Sequence, residues 1–166
     1  MNNKKINKDE CAEQVGLMAR RTSLLHYYFS KTLLDELGEE EGMRLIKKSV
    51  WAYGEHCGNV IREKLDEMGL PNNEENFGKN PDLPNVGWDV GSSVQEDGSE
   101  RLIVKYCPLA DAFMQLGEDG IRLGREYCWV DQAKQHGYNP DYEFLHTKNV
   151  LDGDPYCEFL VQLRKE

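Results

Sequence analysis

The feature that most constrains this chain is the spacing of apolar residues in its first 68 positions. Apolar side chains recur at intervals near 3.6 residues over about 8–37 and again over about 39–68. That period is typical of amphipathic helices, and Gly38 stands where the first helix would end. Gly69 and Pro71 stand where the second helix would end. The sequence therefore predicts two long consecutive helices.

The spacing changes after residue 86. Segments 87–95 and 100–108 flank the turn sequence EDGS, and segments 141–151 and 156–165 flank DGDP. Each pair predicts a β-hairpin. Segments 109–117 and 118–137 between the hairpins predict two more helices. With the order ααββααββ, we predict an α+β fold in which an antiparallel sheet of two hairpins is covered by about four helices.

The length of 166 residues fits a single domain over 1–166. Within it we distinguish a helical part (8–68), a loop (70–86) and a ββααββ part (87–166). The loop, LPNNEENFGKNPDLPNV, holds three prolines and five asparagines and is predicted to be irregular. Such a long loop is often the lid or wall of a site, although a tolerated surface insertion explains it equally well.

Charge and cysteine content narrow the classes of partner. A net charge of −10 argues against nonspecific binding to nucleic acid or to an anionic membrane. The sequence has no apolar run of membrane-spanning length, and its first ten residues lack the apolar core of a signal peptide. Five widely spaced cysteines without a CxxC pair favour reduced thiols in the cytoplasm. The leucines of 17–37 would suit either a homodimer face or the helical layer over the sheet.

Three cysteines and one acid form the candidate site. Cys128 and Asp131 are three residues apart, so they share one face of the predicted helix 118–137. Strand alternation turns Cys157 toward the apolar face of the last strand, and Cys107 stands at the end of the strand 100–108. An acid/base carboxylate beside a substrate-facing thiol, or a pair of metal ligands, would use this arrangement. Buried structural thiols and a solvated acid are the alternative.

These segments resemble a known family. CPLADAFMQLG (107–117), YCWVDQ (127–132) and YNPDYEFLHTKNVLDGDPYCEF (138–159) resemble the C-terminal half of the L-2-amino-thiazoline-4-carboxylic acid hydrolase family, with support from WAYGEHCG (51–58). The resemblance covers roughly residues 100–160. The ending G-D-x-x-C-x-F is also similar to vinyl-reductase-type domains, which bind small molecules and in some cases hold zinc through cysteines. His146 and Asn149 stand here where that zinc pattern has Glu and Cys.

The first resemblance implies hydrolysis of a C–N bond in a small cyclic amidine-like substrate, such as L-2-amino-thiazoline-4-carboxylate. This chemistry needs attack on an sp² carbon, an acid for the leaving nitrogen and a cation for the carboxylate. From their chemistry, we assign Asp131 as base or acid, Cys128 or Cys107 as nucleophile and Arg125 as carboxylate anchor, with Cys157 in the same site. We assign no metal and leave the cofactor open.

The second resemblance implies an alternative, a binding module that senses a small molecule or carries a metal without catalysis. A third reading is a dimerising scaffold whose cysteines belong to the core. Stoichiometric zinc in the purified protein would favour the binding module.

Overall fold

The computed structural model describes residues 7–96 and 98–164 and has an α+β architecture, as predicted. Residue 97 of the first predicted turn and residue 165 of the last predicted strand lie outside the described residues. The elements are α1 (Lys8–Glu67), α2 (Glu74–Phe77), β1 (Asp89–Val94), β2 (Glu100–Tyr106), α3 (Pro108–Met114), α4 (Gly117–Tyr127), α5 (Trp129–Tyr138), β3 (Tyr142–Lys148), a 3-10 helix (Val150–Asp152) and β4 (Cys157–Leu163).

Helix α1 is interrupted at Gly38, whose φ of 78° and ψ of 170° are not helical. A positive φ is sterically open to glycine, so the residue type fits the break. A Cβ added to Gly42 would lie 2.8 Å from the carbonyl oxygen of Leu33. In a straight helix, Leu33 and Gly42 would be about 13 Å apart along the axis. Their close contact shows that the chain reverses direction between them. The two predicted helices are thus confirmed as the first arm (8–37) and the second arm (39–67) of a helical hairpin.

The sheet has the strand order β1-β2-β4-β3, and every neighbouring pair is antiparallel. The two predicted hairpins are therefore present. They join through β2 and β4, where Ile103 is the register partner of Glu158. This confirms the prediction that the two hairpins belong to one antiparallel sheet. The junction places the end of β2, which leads into Cys107, beside the start of β4 at Cys157.

The second arm of α1 and helix α5 are in direct backbone contact. A Cβ added to Gly54 would lie 2.5 Å from the carbonyl oxygen of Val130. A Cβ added to Gly58 would overlap the carbonyl oxygen of Lys134, and one added to Gly137 would overlap that of Glu55. Helices α3 and α4 also pack on α1, and α5 packs on β3. The glycine contact thus fixes α5 between α1 and the sheet.

Two sequence predictions about local structure were wrong. The predicted helix 118–137 is two helices, because α4 ends at Tyr127 and α5 begins at Trp129, with Cys128 between them. The predicted irregular loop 70–86 contains α2, and the backbone amide of Asn76 donates to the side chain of its N-cap Asn73. No helix in the described parts of the chain is long and apolar enough to cross a membrane.

Candidate functional site

The four predicted site residues lie on separate elements that meet beside the β2–β4 junction. Cys107 precedes α3, Cys128 joins α4 to α5, Asp131 lies in the first turn of α5 and Cys157 begins β4. Asp131 is close enough to act electrostatically on all three thiols, and Cys107 acts on Cys128 in the same way. The structure thus brings the four side chains into one neighbourhood, while their chemical roles stay a prediction.

All three thiols have raised pKa values. Burial is the largest cause for each, and the negative charge of Asp131 adds to it. The pKa of Cys128 rises from its ordinary value of 9.0 to about 12, although a hydrogen bond from Asn149 partly opposes the shift. The thiols are therefore protonated at neutral pH, and the site contains no preformed thiolate among them.

Asp131 pairs with a histidine to which the sequence pattern assigned no catalytic role. The Nε2 atom of His146 lies 3.3 Å from Oδ2 of Asp131. The His146 side chain is 3% exposed, whereas that of Asp131 is 33% exposed. A buried imidazole thus holds a carboxylate that solvent or a ligand can reach. This is the arrangement of a base with an orienting partner.

Asn149 sets the tautomer of this histidine. Its Oδ1 accepts a hydrogen bond from the backbone amide of Leu151 at 2.9 Å, so its Nδ2 is directed to Nδ1 of His146 at 3.4 Å. An amide N–H donates, so Nδ1 accepts and the ring proton is on Nε2, from which it is donated to Asp131. Asn149 also bonds Cys128, which links the thiol to the same network.

The turn after β3 builds this arrangement. Asn149 caps the 3-10 helix, and its own backbone amide donates to Oδ2 of Asp154 at 2.8 Å. Gly153 has a φ of 94° and closes the turn before β4. The sequence signal that could have identified Asn149 is this cap with a following glycine. The part played by His146 becomes visible only once α5 is placed over β3.

Arg125, the predicted substrate anchor, lies near Cys128 and Cys157 and acts on both electrostatically. Its Nε atom lies 2.9 and 3.1 Å from the two carboxylate oxygens of Asp152. Asp152 thus engages the Nε donor of Arg125, and a substrate carboxylate would bind through the Nη donors or displace Asp152. The anchoring role of Arg125 stays a prediction.

The cysteines show neither a disulfide nor a metal-binding arrangement within residues 7–96 and 98–164. All five are free thiols. In the same residues, no group of three or more His, Cys, Asp and Glu side chains is arranged to hold a metal ion.

Two cavities of about 370 and 350 Å³ open along the first arm of α1, and exposed side chains of that arm line them, Met18 in the first and Leu25 and Phe29 in the second. Both are lined by Thr22, Tyr53 and Tyr127, so they adjoin at these side chains. Leu83 and Pro84 wall the first cavity, which agrees with a wall-forming role for the loop 70–86. None of the four predicted site residues lines either cavity. Tyr127 connects the two regions because it precedes Cys128.

Comparison with known proteins gives one family and one fold. A family model described as L-2-amino-thiazoline-4-carboxylic acid hydrolase matches residues 18–161. No curated protein matches the sequence. The chain is similar to a crystal structure of trafficking protein particle complex subunit 3 from Naegleria fowleri covalently bound to palmitic acid, with 15% identity and a TM-score of 0.55 over 90% of this chain and 96% of that one. At this identity the likeness concerns the fold alone.

Proposed function

Because the chain belongs to the L-2-amino-thiazoline-4-carboxylic acid hydrolase family, we propose that it hydrolyses a C–N bond in a small cyclic amidine-like substrate, such as L-2-amino-thiazoline-4-carboxylate. The observation that carries this proposal is the pair of Asp131 and His146, 3.3 Å apart, with the histidine buried and the acid within reach of a ligand. Such a pair is suited to moving a proton between water and a ring nitrogen.

In the proposed reaction, water attacks the ring carbon that lies between nitrogen and sulfur. Asp131 takes a proton from the water as the new C–O bond forms. Asp131 passes this proton to the ring nitrogen, which leaves a single C–N bond and a hydroxyl group on the attacked carbon. The ring C–N bond then breaks while the hydroxyl proton also passes through Asp131 to the departing nitrogen and the C=O bond forms. The result is an open chain with a free amine, and the carboxylate is regenerated. His146 orients Asp131 through its Nε2–H, and Asn149 orients His146.

Water is favoured over a thiolate as the attacking group. The pKa of Cys128 is raised to about 12, so its thiol would have to lose a proton before attack. The pKa values of Cys107 and Cys157 are raised as well, mainly by burial. In this proposal the three thiols form a neutral wall beside Asp131, and the nucleophile is water.

The test is to incubate the purified protein with L-2-amino-thiazoline-4-carboxylate and related cyclic amidines and to follow ring opening by chromatography. Asp131→Asn should lower kcat by about 100-fold or more, because an amide cannot take the proton. Its free energy of unfolding should be unchanged or slightly raised. Asp35→Asn, a change at an exposed carboxylate on the first arm, is the control and should keep full activity. Ring opening that survives in Asp131→Asn would disprove the assigned base.

A second function, binding of an apolar ligand without catalysis, is favoured by the two cavities along the first arm of α1. The trafficking complex subunit of similar fold is described as covalently bound to palmitic acid, which is a long apolar chain. The α1 residues that line the cavities extend from Gln14 to Leu33, which would span about 28 Å of helix. One acyl chain spans half of a bilayer's hydrocarbon core, which is roughly 30 Å thick. The cavities together are therefore longer than one acyl chain.

This second function is tested with a fluorescent fatty acid. Ala19→Trp, a change at a buried position that lines the first cavity, should abolish binding. Ala52→Trp, at an exposed position of the second arm, is the matched control and should bind like the wild type. Fatty-acid binding together with no ring opening would favour the binding module over the hydrolase.

We also propose that the protein works in the cytoplasm. The support is that all five cysteines, which lie within the described ranges, are free thiols, as expected where glutathione keeps thiols reduced. Labelling thiols in rapidly quenched cells should find all five cysteines reduced. Oxidised pairs would place the protein elsewhere.

A further inference from the structure

Lys134 is a buried cation near Tyr53, a side chain that lines both cavities. It lies on α5, three residues after Asp131, and is 8% exposed. Its Nζ atom is 3.1 Å from each carboxylate oxygen of Asp82. Burial lowers the pKa of Lys134, but the charges of Asp131 and Asp82 outweigh it, and the pKa is raised. Lys134 is therefore charged, and its neighbourhood holds two carboxylates for one ammonium group.

The ion pair is connected to the wall of the cavity. Tyr53 lines both cavities, and the charges of Lys134 and Asp82 both act on its hydroxyl. Leu83 and Pro84, which follow Asp82 in the chain, form part of the wall of the first cavity. The contact between Lys134 and Asp82 thus fastens the wall segment to α5.

We propose that Lys134 is a binding position for the carboxylate of a ligand with an apolar body, and that Asp82 occupies this position until such a ligand arrives. The two carboxylates already present would repel a third near Lys134, so its binding is favoured when one of them leaves. Asp131 is fixed on α5. Asp82 belongs to a segment without helix or strand and has a side chain 28% exposed, so it can turn to water. The apolar body of the ligand would lie in the cavity beside Tyr53.

The positions of Lys134, Asp82 and Tyr53 define the site. Its assignment to the carboxylate of the substrate rests on the proposed function. Arg125 and Lys134 each hold a carboxylate partner, and Lys134 is distinguished by its burial and by its neighbour Tyr53, which lines both cavities. Two sources share the required chemistry, a small heterocyclic carboxylate and a fatty carboxylate.

A structural latch is the competing explanation, and the sign of one substitution separates the two. Asp82→Asn removes the competing charge and leaves Lys134 intact. A ligand site would then bind a carboxylate more tightly, whereas a latch would lose order and bind more weakly. Lys134→Gln removes the ammonium and should weaken carboxylate binding in a ligand site.

The experiment is calorimetric titration of the wild type, Asp82→Asn, Lys134→Gln and the control Lys64→Gln, which removes a cation from an exposed pair with Glu67. The probes are L-2-amino-thiazoline-4-carboxylate and dodecanoate, each with its uncharged amide. For at least one carboxylate we expect about tenfold tighter binding to Asp82→Asn and about tenfold weaker binding to Lys134→Gln. Binding of the amides, and all binding to Lys64→Gln, should match the wild type.

The inference is overturned if both Asp82→Asn and Lys134→Gln bind the carboxylates more weakly than the wild type, or if neither substitution changes the affinity. It is also overturned if no carboxylate binds to the wild type or to Asp82→Asn. The responding probe identifies the source of the carboxylate. Charge-dependent binding without ring opening in the wild type would overturn the proposed reaction and leave this site standing. Ring opening with a KM that is the same in both variants would overturn this site and leave the reaction standing.

Discussion

At the scale of single residues, Cys157 should contribute to stability. It is 6% exposed at the start of β4, and its Sγ accepts a hydrogen bond from the backbone amide of Val150 at 3.5 Å. Cys157→Ala should lower the free energy of unfolding by about 1 kcal/mol or more, because a core contact is lost. Denaturant unfolding measures the change, with Cys11→Ala on the first arm as a control of smaller effect. A variant as stable as the wild type would contradict the prediction.

Cys128 should make stability depend on pH in the alkaline range. Burial, together with Asp131 and Cys107, raises its pKa from 9.0 to about 12. The folded state thus favours the neutral thiol, so this contribution is complete below pH about 9 and is lost as the pH rises toward 12. The stability of the wild type relative to Cys128→Ala should therefore fall between pH 8.5 and 10.5. Thermal unfolding at several pH values checks this, and a constant difference would contradict it.

Single residues also show what sequence reasoning can reach. Gly38 marked the break in α1 because a missing Cβ has a direct backbone consequence. The alternation of a strand indicated an inward Cys157 for an equally local reason. The contact of His146 with Asp131 joins residues of β3 and α5, and it depends on how far α5 is shifted over the sheet. No local pattern encodes that shift.

At the scale of elements, the glycine contact between α1 and α5 should be intolerant of a methyl group. A Cβ at Gly58 would overlap the backbone of Lys134 and Tyr138. Gly58→Ala should therefore destabilise the fold by about 2 kcal/mol or more through forced separation of the helices. Gly16→Ala is the matched control, since nothing lies within 4 Å of its added Cβ. That change should be neutral or stabilising by up to about 1 kcal/mol, as glycine is a poor helix former.

Differential scanning calorimetry of the two glycine variants measures both effects. If Gly58→Ala melts at the temperature of Gly16→Ala, the backbone contact is not tight. Loss of the native near-ultraviolet circular dichroism in Gly58→Ala alone would support it.

Elements were predictable where their signals are local. The two arms of α1 and the four strands follow from apolar spacing and turn residues. The division between α4 and α5 at Cys128 was missed because no proline or glycine stands there. It involves a four-residue turn in which the Asp131 amide donates to the Cys128 carbonyl at 3.3 Å. Helix α2 was missed although Asn73 followed by Glu74 and Glu75 is a usable start signal.

At the scale of the whole molecule, the first arm of α1 presents an apolar face to solvent. Its large exposed apolar side chains include Leu17, Met18, Leu25, Tyr28 and Phe29. Contiguous apolar surface of this kind is often an interaction face, so a homodimer through this arm stays our prediction. Sedimentation velocity should show a dimer that Leu25→Glu converts to monomer. Val94→Glu, at an exposed apolar position on β1, should leave the dimer intact.

A monomeric wild type at micromolar concentration would contradict the homodimer and leave the exposed face for a ligand or another partner.

The assignment of 1–166 to a single domain likewise stays a prediction. It requires coincident unfolding by far-ultraviolet circular dichroism and by the fluorescence of Trp51, Trp88 and Trp129.

The close packing of Gly58 on α5 has a consequence for synthesis of the chain. Gly58 needs the backbone of residues 134–138, so about 80 further residues must be translated before the second arm meets its partner. At about 5–20 residues per second, the apolar stripe of that arm waits for about 4–16 s after it leaves the ribosome. During that interval we expect the nascent helical hairpin to bind chaperones through its apolar stripe, until the last third of the chain covers it.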